Sequence, residues 1–183
     1  MIREMPKEKL KEFYKKHYCR DFPLEERQPY FLFIRLIKKE KQKIYEYCEE
    51  EIAKAYFTVT EGKKAILLSY YAVYPEYRGK GTGSHCLEEM KQYFQKPILL
   101  ECEKIEKAKT EEDKMIRQRR VSFYKKAGFL EIPFKKFELF GIDYHILAYG
   151  FENLEPKEGK DLILQIYQKQ LPKFLMRKVK IET

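Results

Sequence analysis

The chain has 183 residues, 44% of them hydrophobic and 15% aromatic, with 38 Lys+Arg against 29 Asp+Glu for a formal net charge of +9. That length suits one domain that buries about 70% of its unfolded surface and needs no disulfide or metal staple. The aromatic content excludes a disordered chain. The longest nearly apolar run, Ala65–Tyr74, is about half of the ~20 residues that a membrane span requires. The N-terminus is charged from Arg3 and lacks a signal-peptide core, so the expected location is cytoplasmic, with no membrane partner.

The cysteines (19, 48, 86 and 102) and histidines (17, 85 and 145) are scattered, which points to buried thiols and to no metal. The positive charge fits a polyanionic partner, but acidic and basic residues are interspersed almost everywhere, and ordinary surface chemistry explains it equally well.

Taken in order, Pro6 opens a helix through Leu10, Phe13, Tyr14 and His17. A second helix is expected over Glu25 to Lys38. Strands follow at Lys43–Cys48, Glu51–Thr60 and Ala65–Tyr74, joined by short turns as an antiparallel meander. A glycine-rich loop, Arg78-Gly-Lys-Gly-Thr-Gly83, leads into a helix that stops before Pro97. Ile98–Glu103 is a short strand. Thr110 caps a helix running to Ala127, with Gly128 just beyond it. Phe137–Phe140 and Asp143–Phe151 form a hairpin turning near Gly141, and Asp161–Leu171 is a last amphipathic helix. Strand, loop, helix and strand in the middle imply a parallel crossover within a mixed sheet.

Three glycines in five residues between a strand and a helix serve close backbone approach to a ligand, and the helix N-terminus suits a pyrophosphate. The bland alternative is a simple β-to-α turn. The spacing fits neither a Walker loop nor the dinucleotide motif, because Ser84 and Cys86 stand where that motif needs its third glycine. The run Ala72-Val-x-Pro-Glu-Tyr-Arg-Gly-Lys-Gly-x-Gly83 closely resembles motif A of the GNAT superfamily of acyl-CoA-dependent N-acyltransferases. Phe123-Tyr124-Lys-Lys-Ala-Gly128-Phe129 resembles its motif B. Leu99-x-Glu101-x-Glu103 and Arg119-Arg120-Val121-x-Phe123-Tyr124 are similar to a bacterial set within it. The resemblance covers about residues 1–151, leaving a C-terminal helix and basic tail over 152–183 outside the core pattern of a single domain, 1–183.

The resemblance implies an α/β (α+β) fold: a mixed, mostly antiparallel central sheet with a V-shaped splay between strands 4 and 5, flanked by helices. It implies an N-acetyltransferase in which an amine acceptor attacks acetyl-CoA directly through a tetrahedral intermediate. By analogy, Tyr71, Ala72 and Val73 pair with the pantetheine arm, and the Val73 N–H is the oxyanion donor. Amides from Gly79 through Lys80, Gly81, Thr82 and Gly83 to Ser84 hold the pyrophosphate. Arg78 and Lys80 assist electrostatically, Phe123 and Tyr124 line the cofactor side, and Lys125 reaches the 3′-phosphate. Tyr124 corresponds to the family's general acid.

Ser69 and Leu67 stand where many members carry a fourth-strand base, and neither is competent. Glu101, in Leu100-Glu101-Cys102, is the candidate base, with Glu103 as fallback and water as a further alternative. Glu101 reads equally as the structural partner of Arg119 or Arg120. The rival function is a catalytically degenerate CoA-binding sensor or interaction module. A nucleic-acid binder, suggested by the basic tail, ranks last. The acceptor, a small-molecule or a peptide or protein amine, stays open, as does the choice between monomer and homodimer.

Overall fold

The computed structural model describes residues Met1–Thr183. Two compact units make up the chain: Met1–Thr60 with Tyr70–Tyr93, and Glu61–Ser69 with Phe94–Thr183.

In the first unit a short strand β1 (Ile2–Glu4) pairs antiparallel with β2 (Lys43–Glu49), which pairs with β3 (Ile52–Glu61). Glu50 and Glu51 turn this hairpin with φ of 49° and 63°, a conformation that favours glycine or asparagine. The expected first helix is a composite. A 3₁₀ turn (Lys7–Lys9) leads into α1 (Leu10–Phe13), a π turn (Tyr14–Tyr18) and α2 (Cys19–Asp21).

The next helix, α3, spans Tyr30–Lys38 rather than starting at Glu25. Pro29 disfavours helical backbone in the residue before it. Tyrosine hydroxyls hold the preceding loop: Tyr14 donates to the Gln28 carbonyl and Tyr70 to the Glu26 carbonyl, and Tyr18 accepts from the Gln28 N–H. Leu10, Phe13, Tyr18, Phe33, Ile37, Ile44 and Tyr56 build this unit's core. Phe13 and Tyr56 meet edge to face at 4.7 Å.

Strand β4 (Ile66–Val73) begins in the second unit and ends in the first, where α4 (Thr82–Phe94) follows the glycine loop. In the second unit Ile66–Leu68 pair in parallel with Ile98–Leu100 of β5 (Ile98–Glu103). This parallel pairing runs no further than Leu68 and Leu100. A strand buried from Ile98 to Leu100 matches its unbroken apolar run.

Thr110 caps α5 (Glu111–Lys126) by accepting the Asp113 N–H, and the Asp113 carboxylate accepts the Lys109 N–H in return. The chain turns at Gly128, φ 86°. Next come β6 (Leu130–Ile132), β7 (Lys136–Leu139) and β8 (Ile142–Tyr149), then α6 (Pro156–Gln170) and β9 (Val179–Glu182). β8 pairs antiparallel with β5, β6 and β7, and β7 pairs antiparallel with β9. The fold is therefore mixed α/β, with mostly antiparallel ladders and β4–β5 as the parallel pair.

Residues after 151 are integral to this unit. Leu162, Ile163, Ile166 and Tyr167 of α6 join Leu67, Leu99 and Ile146 in its core, and so does Ile181 of β9. Neither β6 nor β9 is expected from the sequence, because each is too short to show alternation.

Candidate active site

The glycine loop leaves β4 through a 3₁₀ turn, Pro75–Tyr77. Gly79 and Gly81 have φ of 74° and 79°, in the left-handed region that side chains rarely adopt. A Cβ at Gly79 would meet nothing within 4 Å, so backbone conformation rather than crowding demands the glycine. Space for a ligand remains beside the loop backbone. The first backbone bond of α4 runs from the His85 N–H to the Gly81 carbonyl. Thr82, Gly83 and Ser84 thus supply the helix's first-turn N–H groups, which have no acceptor earlier in the helix. With the positive end of the helix dipole behind them, these donors suit a diphosphate.

Tyr71 anchors the loop to β4: its hydroxyl donates to the Gly83 carbonyl at 2.6 Å. The two loop cations are turned to other partners. Lys80 Nζ donates to the Glu76 carbonyl at 3.0 Å. Arg78 Nε donates to the Val73 carbonyl at 2.9 Å, and its Nη2 donates to Asp21 at 2.8 Å. Sequence reasoning missed Asp21. Burial pushes its carboxyl up, but hydrogen bonds from Arg20, Tyr56 and Arg78 outweigh that and hold it below the usual range. No spacing announces this, because its partners lie 35 and 57 residues away.

At the end of β4 the Tyr74 N–H donates to the Lys54 carbonyl of β3 at 3.0 Å. Successive residues of a strand aim their backbone groups at alternate edges, so the N–H and carbonyl of Val73 face away from β3. Tyr71 stands two residues earlier on the strand. Ala72, between them, packs with Tyr70 against the first unit's core.

In the second unit, Glu101 and Glu103 lie on β5. Arg117 takes one oxygen of Glu103 at 2.9 Å and Arg120 the other at 3.0 Å. The arginine pairing considered for Glu101 therefore belongs to Glu103. Glu101 keeps some exposure as a residue, yet its Oε1 is buried without a hydrogen-bond partner. Burial pushes its carboxyl up to about 8. That value lets it exchange a proton near neutral pH.

Tyr124 is buried on α5, its ring against Phe123 at 5.1 Å and Phe129 at 5.6 Å. Lys125 pairs with Glu131, which also contacts His145 Nδ1 at 2.7 Å. No group of three or more His, Cys, Asp or Glu is placed to hold a metal ion. No helix is long and apolar enough to cross a membrane.

Comparison with solved structures shows the same fold in distant proteins. A Bacteroides thetaiotaomicron protein assigned to the GNAT acetyltransferase family is 16% identical, with TM-score 0.76 over 92% of this chain and 94% of its own. The ribosomal-protein-S18-alanine N-acetyltransferase from Escherichia coli is 17% identical, with TM-score 0.55 over 84% of this chain and 97% of its own. Arabidopsis thaliana NAA60, solved in complex with acetyl-CoA, is 13% identical, with TM-score 0.60 over 84% and 99%. Among curated sequences none matches significantly. A sequence model of the acetyltransferase (GNAT) domain matches residues 37–131. That match spans over half of the chain and includes both the glycine loop and the helix that carries Tyr124. The chain therefore belongs to the GNAT acetyltransferase family and is an acetyl-CoA-dependent acyltransferase.

Proposed function

We propose that the whole of residues 1–183 acts as one N-acetyltransferase domain that moves the acetyl group of acetyl-CoA to a primary amine by direct attack. The observation that carries this is the loop from Gly79 to Ser84: two left-handed glycines and the first-turn donors of α4, beside the outward-facing backbone of Val73. Acetyl-CoA supplies the activated thioester. In this reading the amides of Gly79, Lys80, Gly81, Thr82, Gly83 and Ser84 receive its diphosphate. The backbone of Tyr71, Ala72 and Val73 receives its extended arm, as an added strand would be received. Phe123 and Lys125 contribute from α5, with Lys125 exchanging Glu131 for a phosphate. Arg78 is better explained by its contacts with Val73 and Asp21 than by a direct phosphate contact.

For the chemistry, Glu101 takes a proton from the incoming ammonium, directly or through water, and the free amine then forms the new N–C bond. The Val73 N–H donates to the carbonyl oxygen as it gains charge in the tetrahedral intermediate. Tyr124 gives its hydroxyl proton to the departing thiolate as the C–S bond breaks, and the surplus proton on the nitrogen of the new amide returns to the Tyr124 oxygen as the intermediate collapses. The buried Oε1 of Glu101 supports the base assignment over Glu103, whose two oxygens are held by arginines. The protein works in the cytoplasm without a metal, and its acceptor is a small-molecule or a peptide or protein amine.

Calorimetric titration of acetyl-CoA tests the reading, with Gly81→Glu as control. Gly81 has φ 79°, so glutamate there both strains the loop and brings a negative charge to the diphosphate position. Binding by the wild type that is lost in the variant supports the reading. No binding by the wild type overturns it. Binding without acetyl transfer to any of a panel of amines would favour the sensor.

A further inference from the structure

Asp21 ends α2, and its side chain is only 4% exposed. Both of its oxygens are engaged. Oδ1 accepts from Arg20 Nε at 3.0 Å and from Arg78 Nη2 at 2.8 Å. Oδ2 accepts from Arg20 Nη2 at 2.9 Å and from the Tyr56 hydroxyl at 2.9 Å. Four donors on one buried carboxylate are more than helix termination requires, and two of them come from distant parts of the sequence.

The Arg78 contact has a specific effect. With Nη2 on Asp21, Nε of the same rigid guanidinium points at the Val73 carbonyl, 2.9 Å away. The N–H of the same peptide unit, that of Tyr74, is held by the Lys54 carbonyl at 3.0 Å. The Val73–Tyr74 peptide is thus fixed at both ends. Its neighbour along the chain carries the Val73 N–H, whose direction follows from the Val73 backbone angles. Arg78 itself is 53% exposed and would sample many rotamers without its carboxylate.

We propose that Asp21 is a positioning residue for acetyl transfer: through Arg78 it fixes the Val73–Tyr74 peptide, and with it the direction of the Val73 N–H toward the thioester carbonyl. This rests on the reading of Val73 as the oxyanion donor. It gives the glycine-loop arginine a structural duty, with its guanidinium engaged by Asp21 and the Val73 carbonyl rather than offered to the diphosphate. A donor misaimed by a fraction of an ångström loses most of its value in the transition state while costing little in ground-state affinity.

The test is the carbonyl ¹³C resonance of [1-¹³C]acetyl-CoA bound to the protein, alongside calorimetric affinities for acetyl-CoA and for CoA, which lacks the carbonyl. In the wild type the resonance moves on binding, as a hydrogen-bonded carbonyl does. In Asp21→Asn it returns toward the free value, while CoA affinity stays within about threefold, less than the worth of one hydrogen bond. Arg78→Gln cuts the same link from an exposed position, and a similar return is expected there if Asp21→Asn fails to fold. Asp21→Glu recovers part of the shift. Tyr56→Phe, which keeps the Arg78 contact, leaves the shift in place.

An unchanged resonance in both Asp21→Asn and Arg78→Gln overturns the proposal. A parallel loss of acetyl-CoA and CoA affinity also overturns it, because Asp21 would then serve folding or the phosphates. Wild-type binding with no carbonyl shift overturns the oxyanion reading and this inference with it. Absence of wild-type binding, by contrast, overturns the proposed function as a whole.

Discussion

Glu101 and Glu103 stand two residues apart on β5 with opposite electrostatic lives. Arg117 and Arg120 each hold one oxygen of Glu103, while Oε1 of Glu101 is buried with no partner. One carboxylate is spent on fixing α5 to its strand; the other is left able to move a proton.

That difference predicts a pH dependence for Glu101→Gln. The carboxyl titrates near 8 in the folded chain against an ordinary value of about 4.5, so the folded state holds the extra proton. Its contribution to stability is fully present below the unfolded value. It falls as pH rises between the two values, with a slope of up to ~1.4 kcal/mol per pH unit. Denaturant melts of the wild type across pH 4 to 9 should show that loss, flattened in Glu101→Gln. With an acceptor in hand, the variant should also lose the rise in acetyl transfer with an apparent pKa near 8.

Replacing Tyr124 by Phe removes only a hydroxyl. The ring keeps its contacts with Phe123 and Phe129, so the melting temperature should change little. Turnover should fall by roughly 10²–10⁴, the usual value of a positioned acid, with acetyl-CoA affinity retained. Equal activity in the variant would remove Tyr124 from the mechanism.

Thr110→Ala deletes the cap of α5. The Asp113 N–H loses the acceptor that it has at 3.1 Å. Urea denaturation should register a loss of about 1 kcal/mol. The bonds of the Asp113 carboxylate to Arg117 and to the Lys109 N–H remain in the variant, so the loss should be confined to the cap.

Gly62→Ala addresses packing in the second unit. The added Cβ would lie 2.7 Å from the Ala65 carbonyl oxygen and 2.8 Å from Ile166 Cγ1. A backbone oxygen cannot step aside as a flexible side chain can. The expected cost is about 1–3 kcal/mol, read from the shift in denaturation midpoint. Gly141→Ala, where nothing lies within 4 Å but φ is 89°, offers a contrast of pure backbone strain.

Much of this was legible in the residues. Hydrophobic alternation and punctuation located β2, β3, β4 and β5, and the β7–β8 hairpin turns at Phe140 and Gly141, both with positive φ. The Thr110 cap and Gly128 stop bound α5 as expected. The glycine motif stands out because its residues are contiguous in sequence, and Gly79 and Gly81 do adopt the left-handed backbone. Glu101 stood out as a charge in an apolar strand. What stayed hidden depends on distant partners. β1 and β9 exist through the strands that they pair with, and the Asp21 hub gathers Tyr56 and Arg78 from elsewhere in the chain. Likewise, nothing local says that Arg117 and Arg120 choose Glu103 over Glu101.

β9 also bears on the order in which the protein can fold as it is synthesised. The second unit's earliest segment, Glu61–Ser69, leaves the ribosome long before Val179–Glu182, which lines β7 and delivers Ile181 to the same core. Until those residues arrive, β7 shows a bare row of hydrogen-bonding groups to any neighbouring nascent chain. A product truncated before Val179 would therefore be sticky, and stop codons just ahead of this strand should be poorly tolerated although they lie more than 50 residues beyond Tyr124.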